Sequence, residues 1–233
     1  MTDPITRPPT RDGLVEAIRG GLIVSCQAPI GSPLRSPAIT ALMAEAALLG
    51  GAAGLRVNGP EDVAAVRAIT ALPVIGLHKI ARHRNVITPT LELAEGLVAA
   101  GADIVAVDAT VEVFGVELDG FGLIVQSLDA PVMADVSTRR EGLRAAELGA
   151  SIVGTTLSGY TPESPAADDP DLDLVAFLAG EGLTVVAEGR YRSPQAVRRA
   201  FDAGATAVVV GGAITDPLST TRRFVGASPR GAR

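Results

Sequence analysis

Lysine is almost absent from this chain. Of its 20 basic side chains one is lysine, Lys79, which leaves 19 arginines (20 − 1). Tryptophan is missing and aromatic residues make up 3% of the sequence, too few rings to build a surface on which single-stranded bases stack. The net charge is −6 and no basic stripe runs along any segment, so a nucleic-acid backbone is excluded as a partner. A lone cysteine, Cys26, excludes a disulfide framework. The two histidines, His78 and His83, fall in one short stretch and form no metal-ligand spacing, so no metal site is expected. No apolar run approaches the ~18 residues of a membrane span. The opening "MTDPITRPPTRDG" is polar and proline-rich and lacks the apolar segment of a signal peptide. These absences lead to the expectation of a soluble, cytoplasmic protein without nucleic-acid or membrane partners.

What is present is a large aliphatic core. Apolar residues are 47% of 233, which suits one large α/β domain. Eight short runs, "LIVSC", "AGLRV", "PVIGL", "DIVAV", "PVMAD", "SIVGT", "TVVAE" and "AVVVG", are apolar without alternation. That pattern marks parallel strands covered on both faces. Between them lie amphipathic stretches that open at Ser, Thr or Asp and close at Gly, as helices with N-caps and C′ glycines do. The segment "VEVFGVELDGFGLIVQSL" is a weaker helix, because its start is irregular.

A repeat runs through this pattern. The even-numbered runs follow similar junctions, "LGGAAGLRV", "AAGADIVAV", "ELGASIVGT" and "DAGATAVVV"; the odd-numbered ones follow another kind, as in "ALPVIG" and "DAPVMA". Two strand–helix units repeated four times predict a closed (β/α)8 barrel, the TIM barrel, rather than an open doubly wound sheet. The helix-like "RDGLVEAIRGG" before the first strand is expected to close its bottom. One domain over 11–227 follows, with loose tails at 1–10 and 228–233.

In such barrels function sits where the strands end. Reading each apolar run to its stop collects Gln27, Arg56, Lys79, Asp108, Asp135, Thr155 with Thr156, Glu188, and the glycine pair Gly211–Gly212. Gly211 and Gly212 after the last strand, with Gly189 after the seventh, expose backbone N–H groups where barrels commonly hold phosphate. Asp108 reads equally as a ligand for a sugar hydroxyl or as a turn residue. Cys26 and His78 alternate away from their polar neighbours and read as structural. His83 lies in the short basic loop "ARHRN", as a lid element or a solvated side chain.

Lys79 is the distinctive residue. Arginine stays protonated at any working pH, whereas burial or a nearby cation drives lysine neutral. A neutral lysine abstracts protons or forms a Schiff base. An ion pair with Glu188 is the plainer alternative, but arginine would serve it as well. Arg56 would depress the lysine's pKa and Glu188 would raise it. Glu188 ends an apolar strand, where a carboxyl can carry a raised pKa.

The stretches "GGLIVSCQAPIGSPL", "GLRVNGPEDV", "ITPTLELAEGLVAAGADIVAVDAT", "MADVST", "TTLSGYT", "VVAEGRYRSPQAV" and "AVVVGGAIT" resemble the N-acetylmannosamine-6-phosphate 2-epimerases over almost the whole chain. The resemblance implies a TIM barrel, a role in amino-sugar and sialic-acid catabolism, no cofactor, and a small phosphorylated amino sugar as partner. It implies interconversion of N-acetylmannosamine 6-phosphate and N-acetylglucosamine 6-phosphate by proton removal and return at carbon 2. It places the catalytic roles on Lys79 and Glu188 and substrate binding on Gln27, Arg56 and Asp135; Gly189, Gly211 and Gly212 fall where phosphate would be held. Thr156, beside them on the rim, joins the expected substrate-binding groups. Barrels of this type often pair, so a homodimer is expected. Two departures remove positive charge from the rim: Asp216 stands where a basic residue is expected, and "VEVFG" where an arginine-containing segment is. They leave open a different or unphosphorylated amino sugar, or a barrel that binds a sugar or anion without turnover. A Schiff-base lyase is the other alternative.

Overall fold

A computed structural model describes residues 10–82 and 84–229; His83 and most of the two expected tails lie outside the described residues. Eight strands form a closed, all-parallel barrel: β1 (Leu22–Cys26), β2 (Gly54–Asn58), β3 (Val74–Leu77), β6 (Ile104–Asp108), β7 (Val132–Asp135), β8 (Ile152–Gly154), β9 (Val185–Ala187) and β10 (Ala207–Val210). The order around the ring is β1-β10-β9-β8-β7-β6-β3-β2. Two further strands, β4 (Lys79–Ala81) and β5 (Asn85–Ile87), make an antiparallel hairpin directly after β3.

Helices α1 (Arg11–Ile18), α2 (Pro37–Leu49), α3 (Pro60–Arg67) and α4 (Leu91–Ala99) lie in the first half of the chain. They are followed by α5 (Val111–Phe114), α6 (Asp119–Ser127), α7 (Arg139–Glu147), α8 (Leu172–Gly180), α9 (Pro194–Asp202), α10 (Gly212–Thr215) and α11 (Pro217–Gly226). Ser36, Thr90, Thr138 and Ser193 cap α2, α4, α7 and α9, each accepting a hydrogen bond from the backbone N–H three residues on.

The unbroken apolar runs now have their reason. Ile23, Ile75, Ile104, Met133, Ile152, Val186 and Val209 fill the barrel interior. Their neighbours Val24, Val74, Val105, Ala134, Val153 and Val208 face outward and pack beneath the helices. Leu14 and Ile18 of α1 join the interior group from below, so the first helix closes the barrel's bottom as expected. Cys26 is fully buried in the outer layer, where burial pushes its thiol up to about 12.

The repeated junction is one hydrogen-bond motif used four times. Gly51, Gly101, Gly149 and Gly204 all hold positive φ, between 90° and 101°. Each donates its N–H three residues back, to Leu48, Val98, Ala146 and Phe201, at 2.9–3.0 Å. The alanine after each donates five residues back at 3.0 Å, completing a Schellman ending. The motif fixes the angle at which helix returns to strand. In the odd-numbered junctions Pro73 and Pro131 stand just before β3 and β7, where a missing N–H is tolerated, and their carbonyls accept from Leu55 and Val105.

Two sequence expectations are corrected. The third strand stops at Leu77, and "ARHRN" belongs largely to the β4–β5 hairpin, so Lys79 begins a hairpin strand rather than ending a barrel strand. The irregular segment after β6 is two helices, broken where Gly115 and Leu118 both take positive φ.

Gly51 has open space around its missing Cβ, so its conformation alone constrains it. Gly51→Ala is expected to destabilise the fold by ~1–2 kcal/mol, read as a lower urea midpoint with unchanged slope.

Candidate active site

The site is built on a buried cation. Arg56 sits in the middle of β2 with 1% of its surface exposed. Its Nη1 donates to Asp135 Oδ1 at 3.1 Å and its Nη2 to Oδ2 at 2.6 Å, a two-pronged ion pair across the barrel. Nη1 also donates to Thr156 Oγ1 at 3.3 Å and to Glu188 Oε2. The Thr156 hydroxyl donates to Asp135 Oδ1 at 2.6 Å and lies 3.3 Å from Glu188 Oε2. A side chain on Gly154 would overlap Met133 Cε and come within 2.9 Å of Asp135 Oδ1, so that glycine makes room for the cluster.

Lys79 and Glu188 stand above this layer. β3 and β9 are four places apart in the ring of eight strands, so the residues following them face each other across the mouth. Lys79 is aimed by its backbone, whose N–H donates to Asn58 Oδ1 at 2.8 Å. The residue as a whole is exposed to solvent, while protein crowds around its ammonium. Burial therefore lowers its pKa from the usual 10.5, and the Arg56 cation lowers it further against the pull of Glu188 and Asp135. Glu188 keeps 16% of its side-chain surface exposed. Burial raises its pKa above the usual 4.5 and the Asp135 carboxylate adds to that, while Arg56 and Lys79 oppose it. The ion pair to Glu188 comes from Arg56, not from Lys79.

A cavity of about 1010 Å³ opens over these groups. Lys79, Glu188, Thr156, Gln27, Gly189, Gly211 and Gly212 all line it. Gln27 donates from Nε2 to Ser25 Oγ at 2.7 Å, and its buried Oε1 has no protein partner among the described residues. The Gly211–Gly212 turn is tied down by the Thr215 hydroxyl, which donates to the Ser25 carbonyl at 2.7 Å. Arg56 and Asp135 do not line the cavity; they lie beneath its floor and act on the groups above them.

Asp108 is also not at the surface of the site. It is fully buried, accepting from Arg84 Nη1 at 2.7 Å and from the Thr110 hydroxyl at 2.6 Å. Arg84 reaches it from the hairpin turn and bonds Glu112 at 2.7 Å, so the hairpin bearing Lys79 is anchored to the end of β6. Sequence reading passed over Arg84, Asn58 and Gly154. A basic residue next to His83 and a strand-final asparagine carried no distinguishing pattern, and the need for a small residue at 154 appears only once Met133 and Asp135 are seen beside it. The two departures have local partners. Asp216 caps α11, accepting from Ser219 N–H at 3.0 Å and its hydroxyl at 2.5 Å, and Glu112 bonds Arg84.

Residues 40–229 match the family described as "Putative N-acetylmannosamine-6-phosphate epimerase". The chain belongs to the N-acetylmannosamine-6-phosphate epimerase family. A relative from Caldanaerobacter subterraneus subsp. tengcongensis, described in the same words as a 2-epimerase, is 45% identical over 91% of this chain and 92% of its own. The NanE/NanK bifunctional enzyme of Brucella melitensis is 47% identical over 91% of this chain, which spans 41% of that protein. The solved N-acetylmannosamine-6-phosphate 2-epimerase of Clostridium perfringens superposes with a TM-score of 0.86 at 37% identity, covering 92% of this chain and 96% of that one. A thiamine phosphate pyrophosphorylase from Pyrococcus furiosus shares the fold alone, with a TM-score of 0.61 at 16% identity.

Breaking a buried ion pair from one side leaves the other charge without compensation. Asp135→Ala is expected to destabilise the protein by ~3–5 kcal/mol, with Asp135→Asn less affected because it still accepts from Arg56. Thermal and urea unfolding of both variants check the order.

Proposed function

We propose that this chain is a cofactor-independent epimerase that interconverts N-acetylmannosamine 6-phosphate and N-acetylglucosamine 6-phosphate, with Lys79 and Glu188 moving the proton. The observation that carries the reading is the pairing of these two groups across one cavity, the amine's pKa lowered and the carboxyl's raised. An open-chain aldehyde makes the hydrogen at carbon 2 acidic. Neutral Lys79 takes that proton, and protonated Glu188, on the facing wall, supplies one to the enolate. That proton adds to the opposite face of carbon 2 and inverts the centre, leaving an ammonium and a carboxylate; proton exchange with solvent resets both groups. Arg56 contributes from below, holding the Glu188 carboxyl and keeping the field over the floor positive where negative charge develops.

An anionic substrate fits the charge of the cavity. Arg35, Lys79, Arg84, Arg190, Arg192 and Arg223 line it against two carboxylates, Glu188 and Asp216, in a chain whose net charge is −6. We assign the phosphate to the backbone N–H groups around Gly189 and Gly211–Gly212, at the ends of the seventh and eighth barrel strands. Gln27 Oε1, without a partner among the described residues, is the acceptor for the substrate's acetamido N–H. The setting for such a phosphorylated metabolite is the cytoplasm.

In D2O, incubation with either sugar phosphate should place deuterium at carbon 2, followed by proton NMR; no incorporation at high enzyme concentration overturns the function. Lys79→Arg should keep the fold and lose turnover by at least ~100-fold, the scale of a missing general base. Borohydride reduction in the presence of substrate should leave no adduct on Lys79.

The activity should follow a bell-shaped pH profile. At low pH both groups are protonated and Lys79 cannot accept; at high pH both are deprotonated and Glu188 has nothing to give. Because the lysine is shifted down from 10.5 and the glutamate up from 4.5, both limbs of kcat/KM should lie inside that interval.

A further inference from the structure

The barrel ladder between β8 and β9 ends just before Glu188. Val153 N–H donates to Thr184 O at 2.9 Å and Thr155 N–H to Val186 O at 3.3 Å, the alternating pattern of a parallel pair. Continued by one step, the same pattern would give Glu188 N–H to the Thr155 carbonyl, and Leu157 N–H to the Glu188 carbonyl. The chain instead turns away after β8, and Leu157 N–H donates to Val136 O, on the other side, at 3.1 Å. Both backbone groups of Glu188 are thereby released from the ladder. The Thr155 hydroxyl takes both: it accepts from Glu188 N–H at 3.1 Å and donates to Glu188 O at 2.9 Å. Thr155 is 2% exposed and does not line the cavity, so this hydroxyl serves the backbone alone.

We infer that Thr155 is a positioning residue for Glu188, its single hydroxyl replacing the two ladder bonds that would otherwise fix the catalytic glutamate's backbone. The adjacent threonines divide one task. Thr155 holds the main chain of residue 188, and Thr156, together with Arg56, holds its carboxylate. Only a hydroxyl can both donate and accept at one atom in this gap. Serine keeps that capacity with one methyl fewer; valine keeps the shape and loses it.

The kinetic part of the test rests on the epimerase reading, so a measurement without substrate stands beside it. In Thr155→Val, kcat should fall about 10-fold or more with KM within about 2-fold, while Thr155→Ser should stay within about 3-fold of the parent. In protein labelled with carbon-13 at the glutamate carboxyl, the Glu188 signal is assigned by its loss in Glu188→Gln. Its titration midpoint should move toward that of an ordinary glutamate in Thr155→Val and hold in Thr155→Ser. If the valine variant does not fold, Thr155→Ala takes its place in both measurements. Equal impairment of the serine and valine variants, or an unmoved Glu188 midpoint in the valine or alanine variant, overturns the proposal. A parent protein without turnover overturns the function instead, and the titration still decides the role of Thr155.

Discussion

The polar cluster under the floor of the cavity answers to Arg56. A guanidinium carries its charge at any working pH, and in β2 it is shut away from water, so acceptors must converge on it from other strands. Asp135 comes from β7, Thr156 from the turn after β8, and Glu188 from the turn after β9. Three strand ends are therefore held in register by one side chain. Below this layer the interior is Ile, Val and Met, and above it lies the cavity. The cluster is the boundary between a packed core and a reacting surface.

The same cation explains the single lysine. In the proposed mechanism the base at the mouth has to be neutral, and burial with the fixed positive charge below favours that while the neighbouring carboxylates restrain it. An arginine at 79 would stay charged beside Arg56 and could not accept. The chain's preference for arginine elsewhere fits ion pairs and carbonyl contacts, such as those of Arg84 with Asp108 and of Arg190 with the Ser158 and Asp169 carbonyls. Under the proposed mechanism, position 79 alone needs a group able to be neutral.

The barrel was legible because strand and helix repeat with a local signature. The four glycine junctions spell one Schellman motif in sequence, and the apolar runs report burial on both faces. Strand ends were legible as a set, since polarity appears where each run stops. Depth was not. Arg56 and Asp135 look like rim residues in the sequence, yet they lie under the floor, because β2 runs on to Asn58 and Arg56 points inward two residues before its end. Asp108 shows the same limit: its partner Arg84 comes from a hairpin turn that reads as loop, and only their contact across 24 positions reveals its role. Long-range pairing leaves no periodic trace in a single chain.

The two departures from the family pattern also follow from this layering. Position 216 belongs to the rim, where side chains answer to solvent and to helix ends, while Glu112 packs against the Arg84 that anchors the hairpin. Both oxygens of Asp216 are occupied by Ser219 at the start of α11, where a carboxylate also favours the helix dipole and its pKa falls below the usual range. Glu112 is turned to Arg84. Each carboxylate is thus engaged by the protein's own groups. Asp216, Ser219, Thr220 and Arg223 fall on one face of α11 and all line the cavity, so the face that carries the acid at its start carries a cation two turns on. Positive charge lost at the first turn persists at the last, while the floor, bound by Arg56, keeps the lysine and glutamate opposed.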